Sequence, residues 1–321
     1  GMAKTRSAGR IFVYFIMICV LLLLLSAGGA YLYLRHMLDG MERTSITKDD
    51  TELGISEETT SSNQVVNIAL FGVDTRDSTD TGRSDAMIIL SVDQVHKKVK
   101  MTSLARDTRV EIEGYGYEKL CHAYAYGGPE LAIQTINRSF GLDIRDYVTV
   151  NFEQLAGIID LLGGVVINVD QDEADVFNSM FVSDTVPAIT ETGDIRLTGA
   201  QAVGYARNRT TGSDVARQSR QREVLMAIYD EVRAKSVLEY PGILEQVLRL
   251  CETSLESDKI MELGMWVVFN GPEIVEFALP NSECNPYGGI MEDGLWYFVY
   301  DLDIASDVLH QFIYDDIQPA E

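Results

Sequence analysis

Five arginines and a single acid fall between Ala206 and Arg222, in a chain whose 26 Lys and Arg are outnumbered by 49 Asp and Glu. The run Tyr205-Ala206-Arg207-Asn208-Arg209 is followed by Asp214, Arg217, Arg220, Gln221 and Arg222. Clustering guanidiniums costs Coulomb repulsion that the neighbouring sequence does not neutralise, whereas a bound polyanion does. Guanidinium presents planar, paired donors that match phosphate oxygens, and it stays charged at any relevant pH. If residues 205–209 form a short strand, Arg207 and Arg209 share one of its faces. Arg217 and Gln221, four apart, share a helix face with Arg220 alongside. Two such elements can converge on one anion, and a diphosphate suits the number of donors. The bland alternative is a solvated face paired with acids, which requires distant carboxylates to fold over it.

Three further groups have chemical potential. Asp74 closes the apolar run Val65–Val73, and Asp85, in Gly82-Arg83-Ser84-Asp85, opens the next. Adjacent strand ends can bring two carboxylates together as hard oxygen ligands for Mg²⁺ (or Mn²⁺), which keeps water and takes substrate phosphate. Alternatively, both are turn or cap residues. Arg106 and Asp107, in Ser103-Leu104-Ala105-Arg106-Asp107, sit at another strand end and either face the same edge or form an exposed ion pair of little worth. Lys119 and His122, in Lys119-Leu120-Cys121-His122-Ala123-Tyr124, either border that edge or are structural. No nucleophile elbow, Walker loop, H-E-x-x-H or zinc spacing is present.

These groups need elements to hold them. Val65–Val73 and Ala86–Val92 are short apolar runs of the buried-strand type, and Val99–Leu104 alternates. The polar link between the last two predicts a hairpin. Pro129 suits the first turn of a helix that Gly141 ends. Asn151 caps a second helix carrying Phe152, Leu155, Ile158, Ile159 and Leu162. Val165–Val169 reads as a strand, Leu197–Val203 as a turn or short helix, and Ser219–Lys235 as an amphipathic helix. Beyond 235 the pattern predicts helices near 241–251, 257–268 and 303–313, with strands near 273–279 and 295–300. Strands and helices mixed in this order suggest an α/β/α sandwich on one central mixed sheet.

The N-terminal segment bears on the compartment. Between Arg10 and Arg35 lie 24 uncharged residues, about 36 Å of helix against a hydrocarbon core of about 30 Å. Lys4, Arg6 and Arg10 precede it. The positive-inside rule then reads residues 1–10 as cytoplasmic, 11–34 as one transmembrane helix, and the rest as extracytoplasmic. A cleaved signal peptide, suggested by Ser26-Ala27-Gly28-Gly29-Ala30, is disfavoured by the length of the apolar run. Residues 35–64, polar and without apolar period, read as a tether. The formal charge of −23 repels nucleic acid and argues against a DNA-binding regulator. Cys251 and Cys284 either pair as a disulfide on the oxidising side or stay as buried thiols.

In combination these motifs resemble the LytR–CpsA–Psr family. The matching stretches are Gly72–Asp74, Gly82–Asp85, Ser103–Asp107, Lys119–Gly128, Leu162–Val165, Leu197–Gly199 and Tyr205–Gln221, across roughly residues 65–235. That range reads as the catalytic domain, with 236–321 as an extension packed on it. Ala105 departs from the family's usual Pro before Arg-Asp, which loosens the strand exit but removes no charge. Arg109 also stands where an uncharged residue is common.

The resemblance implies that Asp74 and Asp85 hold Mg²⁺. It implies a diphosphate held by Arg83, Arg106, Lys119, Arg207, Arg209, Arg217, Arg220 and Gln221, with the polyprenyl tail in an apolar pocket. The implied reaction moves a glycopolymer from polyprenyl diphosphate to a peptidoglycan hydroxyl, a phosphotransferase step. Asp107 and Asp214 are the candidates for its general base, beside Arg106. A polyprenyl-diphosphate pyrophosphatase and a non-catalytic lipid-diphosphate binding module remain the alternatives.

Overall fold

A computed structural model describes residues 5–40, 43–59, 61–75 and 82–320. The first element, α1 (Thr5–Asp39), contains a segment, Ile16–Asp39, of mean hydropathy 2.2 that is long and apolar enough to cross a membrane. Alternation then builds the central sheet. In β1 (Val65–Val73), Val65, Ala69, Phe71 and Val73 join one apolar cluster, while Val66, Ile68 and Leu70 face another. Successive side chains thus feed opposite faces. Next come β2 (Ser84–Asp93) and β3 (Lys98–Leu104), each antiparallel to its predecessor. The hairpin between them forms as expected.

The small ribbon of β4 (Arg109–Ile112) and β5 (Gly116–Lys119) leads into α2 (Leu120–Phe140). This helix starts nine residues before Pro129, because non-helical Gly127 and Gly128 break it into a short first piece and a longer second one. A strand unforeseen in the sequence, β6 (Asp146–Asn151), runs parallel to β1. Asn151 then caps α3 (Phe152–Leu161) in a full capping box with Gln154.

A satellite unit follows. It comprises β7 (Val165–Val169), α4 (Gln171–Met180), β8 (Gly193–Leu197), α5 (Gly199–Arg207) and α6 (Asp214–Ala234) around their own apolar cluster. Its α5 lies so close to α3 that a Cβ on Gly199 would fall 2.0 Å from the Ala156 carbonyl oxygen. The predicted strand over 205–209 is a correction: residues 199–207 are helical, with a Thr198–Gln201 capping box and Asn208 closing the helix. That box starts a helix before the two-residue spacing of the arginines can act as a strand pattern.

The chain ends with α7 (Tyr240–Arg249), β9 (Glu252–Thr253), α8 (Ser257–Asn270), β10 (Glu273–Leu279), β11 (Tyr287–Ile290), β12 (Trp296–Val299) and α9 (Leu302–Tyr314). The six-stranded mixed sheet has the order β10-β3-β2-β1-β6-β9. On one face α2 and α9 cover the main core, and on the other α8 covers a smaller one, giving the α/β/α sandwich. Residues beyond 235 thus complete the same sheet and core.

Two further expectations are corrected, the free tether and the loosened exit at Ala105, and the alternatives left open for the cysteines are decided. Residues 43–59 pack on the domain instead of forming a free tether: Leu53 is fully buried, Ile46 and Ile55 join the main core, and Asn137 Nδ2 donates to the Leu53 carbonyl at 2.8 Å. Isolated apolar anchors do this without any periodic signal. Cys251 and Cys284 are free thiols, each with its pKa pushed up by burial, that of Cys251 to about 11. Ala105 does not loosen its strand. Its N–H donates to the Leu279 carbonyl at 3.1 Å, a tie to β10 that proline cannot make.

Candidate active site

Asp74 leaves the end of β1 and Asp85 enters β2, so the sheet itself sets the pair side by side. The Asp74 N–H donates to the Arg83 carbonyl at 3.3 Å, closing this strand end. Gly82 takes φ +63, and a Cβ there would lie 2.8 Å from the Asp74 carbonyl oxygen, so glycine is required. Both carboxylates line two neighbouring cavities, together with Arg209.

The smaller cavity, about 260 Å³, is lined by both charged and apolar side chains. Arg207, Arg209, Arg217 and Gln221 line it with the two aspartates, and Phe152, Met180 and Phe181 complete it. Arg207 ends α5 and Arg209 follows in the loop. Arg217 and Gln221 share a face in the first turns of α6. The larger cavity, about 670 Å³, adds Gly82, Arg83, Arg106, His122, Ala125 and Tyr126. The convergence expected of Asp74, Asp85, Arg83, Arg106, Arg207, Arg209, Arg217 and Gln221 is therefore observed.

The electrostatics carry a cationic excess. Arg106 Nη1 binds Asp85 Oδ1 in a short contact, and Arg209 Nη2 lies 3.6 Å from the same oxygen. Burial lowers the pKa of Arg217; Asp214 raises it, and the guanidiniums of Arg209 and Arg106 press it down again. Its Nε is buried without a hydrogen-bond partner among the described residues. A buried, unpartnered donor in a ring of like charges is a place where an anionic ligand gains binding energy. Arg106 is the reverse case: burial opposes its charge, yet Cys121, Asp85, Asp107 and Asp214 together raise its pKa.

Four expected residues lie elsewhere. Arg220 points away from the cavities and donates from Nη2 to the carbonyls of Asn208 and Thr211, each at 2.8 Å, with Glu173 at 3.5 Å from Nη1. It braces the loop that carries Arg209. Lys119 Nζ is held by Asp107 at 3.0 Å, and Asp107 also lies 3.8 Å from Arg106 Nε. Asp214 is bound by Arg217. None of the four lines either cavity. A helix pattern cannot tell which of two adjacent arginines is turned inward. Phe152, Met180, Phe181 and Tyr126 were missed as lining residues. Only the position of Phe152 beside its Asn151 cap signalled it in advance.

The fold is shared with known proteins. Residues 30–312 match the model of the LytR_cpsA_psr family. A relative from Oceanobacillus iheyensis, named polyisoprenyl-teichoic acid–peptidoglycan teichoic acid transferase TagU, is 32% identical over 302 residues, covering 88% of this chain and 87% of its own. The Enterococcus faecalis protein of the same name is 32% identical over 291 residues, with 89% and 90% covered. Among solved structures, Bacillus subtilis TagT superposes with a TM-score of 0.66 at 24% identity, over 84% of this chain and 99% of its own. The LytR-CPS2A-psr family protein YwtF (TagT) with bound octaprenyl pyrophosphate gives 0.64 at 22%, over 84% and 99%. At these identities the structures speak for the fold.

Proposed function

The chain belongs to the LytR–CpsA–Psr family, and on that premise we propose that it transfers a glycopolymer from a polyprenyl-diphosphate carrier to peptidoglycan. The supporting observation is that three arginines, a glutamine and two aspartates share one cavity with Phe152, Met180 and Phe181. The charged side chains take the diphosphate and the apolar ones the first part of the polyprenyl chain. The names of the relatives supply the donor and acceptor classes, which the geometry alone does not specify.

Diphosphate chemistry requires charge neutralisation and alignment more than a strong nucleophile. Arg207, Arg209 and Arg217 neutralise the phosphates, and Gln221 orients an oxygen by hydrogen bonding. Arg106, held by Asp85, and Arg83 line the neighbouring cavity where charge develops on the transferred phosphoryl group. A divalent cation fits the donor set. Both guanidinium contacts to Asp85 fall on Oδ1, leaving Oδ2 without an ion pair among the described residues, and Asp74 has none. Asp74 and Asp85 would hold Mg²⁺, which supplies Lewis-acid stabilisation of phosphate charge. The acceptor hydroxyl adds to the glycan-linked phosphorus, and polyprenyl phosphate leaves with the electrons of the broken P–O bond. The Ile16–Asp39 helix anchors the domain on the outer face of the membrane, where both substrates are found.

The test is to incubate the detergent-solubilised full chain with a glycan-loaded polyprenyl diphosphate, Mg²⁺ and peptidoglycan. Glycan-linked peptidoglycan is the expected product. Release of phosphate with no glycan on the wall identifies a pyrophosphatase instead, and lipid binding without either product identifies a binding module.

A further inference from the structure

The larger cavity holds a histidine that the reading so far leaves idle. His122 Nδ1 lies 2.8 Å from Glu118 Oε2, and the part-buried imidazole lines the cavity that also holds Asp85 and Arg106. Beside it Tyr126, one helical turn on, stacks on Tyr115 with ring centroids 4.3 Å apart and planes at 15°. The two rings are 41% and 52% exposed, an aromatic pair left facing solvent, of which Tyr126 lines the charged cavity. Glycines 127 and 128 break α2 just after Tyr126, so residues 120–126 form a separate short turn that aims both side chains.

We propose that this cavity is the acceptor-saccharide site and that His122, held by Glu118, is the base that removes the proton of the attacking hydroxyl. The proposal rests on the transferase reading above. Three observations support it. First, Phe152, Met180 and Phe181 line the smaller cavity and not the larger one, so polyprenyl phosphate departs on the smaller cavity's side. In-line displacement then brings the nucleophile from the other side of the shared Asp74–Asp85–Arg209 wall. Second, the other polar side chains lining the larger cavity are poor bases. Arg83, Arg106 and Arg209 are cationic donors without an acceptor lone pair, Asp85 is ion-paired to arginines, and Asp74 is assigned above to the divalent cation. Burial and the nearby Glu118 push the Tyr126 phenol pKa upwards. Third, a carboxylate accepting from Nδ1–H fixes the tautomer that leaves Nε2 with its lone pair, the base-and-orienter arrangement of hydrolytic triads. The Tyr126 face offers a flat apolar surface for the C–H side of a sugar ring, with polar groups around it.

The step balances. An oxygen lone pair of the acceptor hydroxyl forms the new bond to the glycan-linked phosphorus, and its proton passes to His122 Nε2. The P–O bond to the lipid phosphate breaks, and its electron pair leaves with polyprenyl phosphate. The imidazolium is paired with Glu118 until it releases the proton to water.

The experiment uses the detergent-solubilised full chain and three readouts: transfer to peptidoglycan, affinity for glycan-free polyprenyl diphosphate, and thermal midpoint. His122→Ala is expected to lower kcat by about 10²- to 10⁴-fold, to bind the lipid within about twofold of wild type, and to recover part of its rate with added imidazole. Tyr126→Ala is expected to raise the KM for peptidoglycan about tenfold while the donor KM stays put. His122→Ala at wild-type rate, or a rate loss matched by lost lipid binding or a collapsed midpoint, overturns the proposal; His122→Gln at the wild-type midpoint separates chemistry from folding. A wild-type protein that binds the lipid but puts no glycan on peptidoglycan overturns the transferase reading as well, and that outcome appears before any variant is compared.

Discussion

The guanidinium carbon of Arg207 stands 4.4 Å from the centroid of the Phe152 ring and 5.9 Å from that of Phe181. All three side chains line the smaller cavity. One residue therefore joins the charged lining to the apolar lining. Its planar head stacks on the rings while its N–H edges remain available to phosphate. Phe152 owes its place to the Asn151 cap, which fixes where α3 starts at the end of β6.

Arg207→Lys keeps the charge but loses both the stacking plane and the paired donors. Affinity for polyprenyl diphosphate is expected to fall by about 1–2 kcal/mol, or roughly five- to thirtyfold. Isothermal titration at fixed salt checks this. Equal affinities for the two proteins would mean that the ring contact and the fork geometry contribute nothing.

Arg217 and Arg220 are expected to separate function from stability. Arg220→Met removes donors from the buried Asn208 carbonyl, the part-buried Thr211 carbonyl and Glu173. Unfolding free energy is expected to fall by about 2–4 kcal/mol. Arg217→Met instead relieves a buried cation pressed by Arg209 and Arg106, and frees an Asp214 that reaches solvent. Its thermal midpoint is expected to stay near wild type while lipid-diphosphate affinity drops at least tenfold. Denaturant melts beside binding isotherms decide the matter.

Much of this was legible in the chain because two periods are strong in it. Apolar runs gave β1, β2 and β3, and the turn residues around Asp74 and Asp85 gave the strand ends that hold the carboxylates. The scarcity of acids near Arg207–Arg222 marked the arginine cluster that lines the smaller cavity. What escaped depends on packing that no local pattern records. β6 is half-buried and carries Asp146, Thr149 and Asn151, so it resembles a loop until it pairs with β1. Arg207 and Arg209 converge on one cavity from a helix end and a loop, an arrangement that a strand spacing does not describe. Arg220 differs from Arg217 only in rotation about α6, and the sequence gives no sign of which carbonyls lie on that side.

Metal dependence is expected to track Asp74. Asp74→Asn leaves the Arg106 and Arg209 contacts on Asp85 in place, so it tests the cation without dismantling the arginine cluster. The Mg²⁺ concentration for half-maximal transfer is expected to rise by about ten- to a hundredfold, an order seen when metal-site groups are lost. Binding of polyprenyl diphosphate in chelator should be unchanged. Activity titrated after exhaustive chelation reads both, and a Mg²⁺ curve that overlays wild type removes Asp74 from the ligand set.

The fully buried Lys100 supplies a pH test of the fold. Its ammonium donates to the carbonyls of Phe312 and Ile313 at 2.8 and 2.9 Å, and lies 2.8 Å from Asp93 and 3.2 Å from Asp316. It thereby fastens the end of α9, whose Phe312 and Ile313 belong to the main core, to β3. Burial raises the pKa of Asp93, but the hydrogen bonds from Lys100 and His96 outweigh it and leave it below the ordinary value. Burial likewise opposes Asp316, which Lys98 and Lys100 nonetheless hold low. A depressed folded pKa stabilises the protein above the unfolded carboxylate value near ~4, and that contribution disappears as pH falls through the folded value. Lys100→Met strands buried Asp93 and two carbonyls, so a loss of about 3–5 kcal/mol is expected at pH 7. Below about pH 4 the carboxylates of both proteins take up protons, and the gap between variant and wild type should narrow. Urea melts at pH 7 and about pH 3.5 measure it. A gap that stays constant or widens in acid would show that the ion pairs do not hold α9 in place.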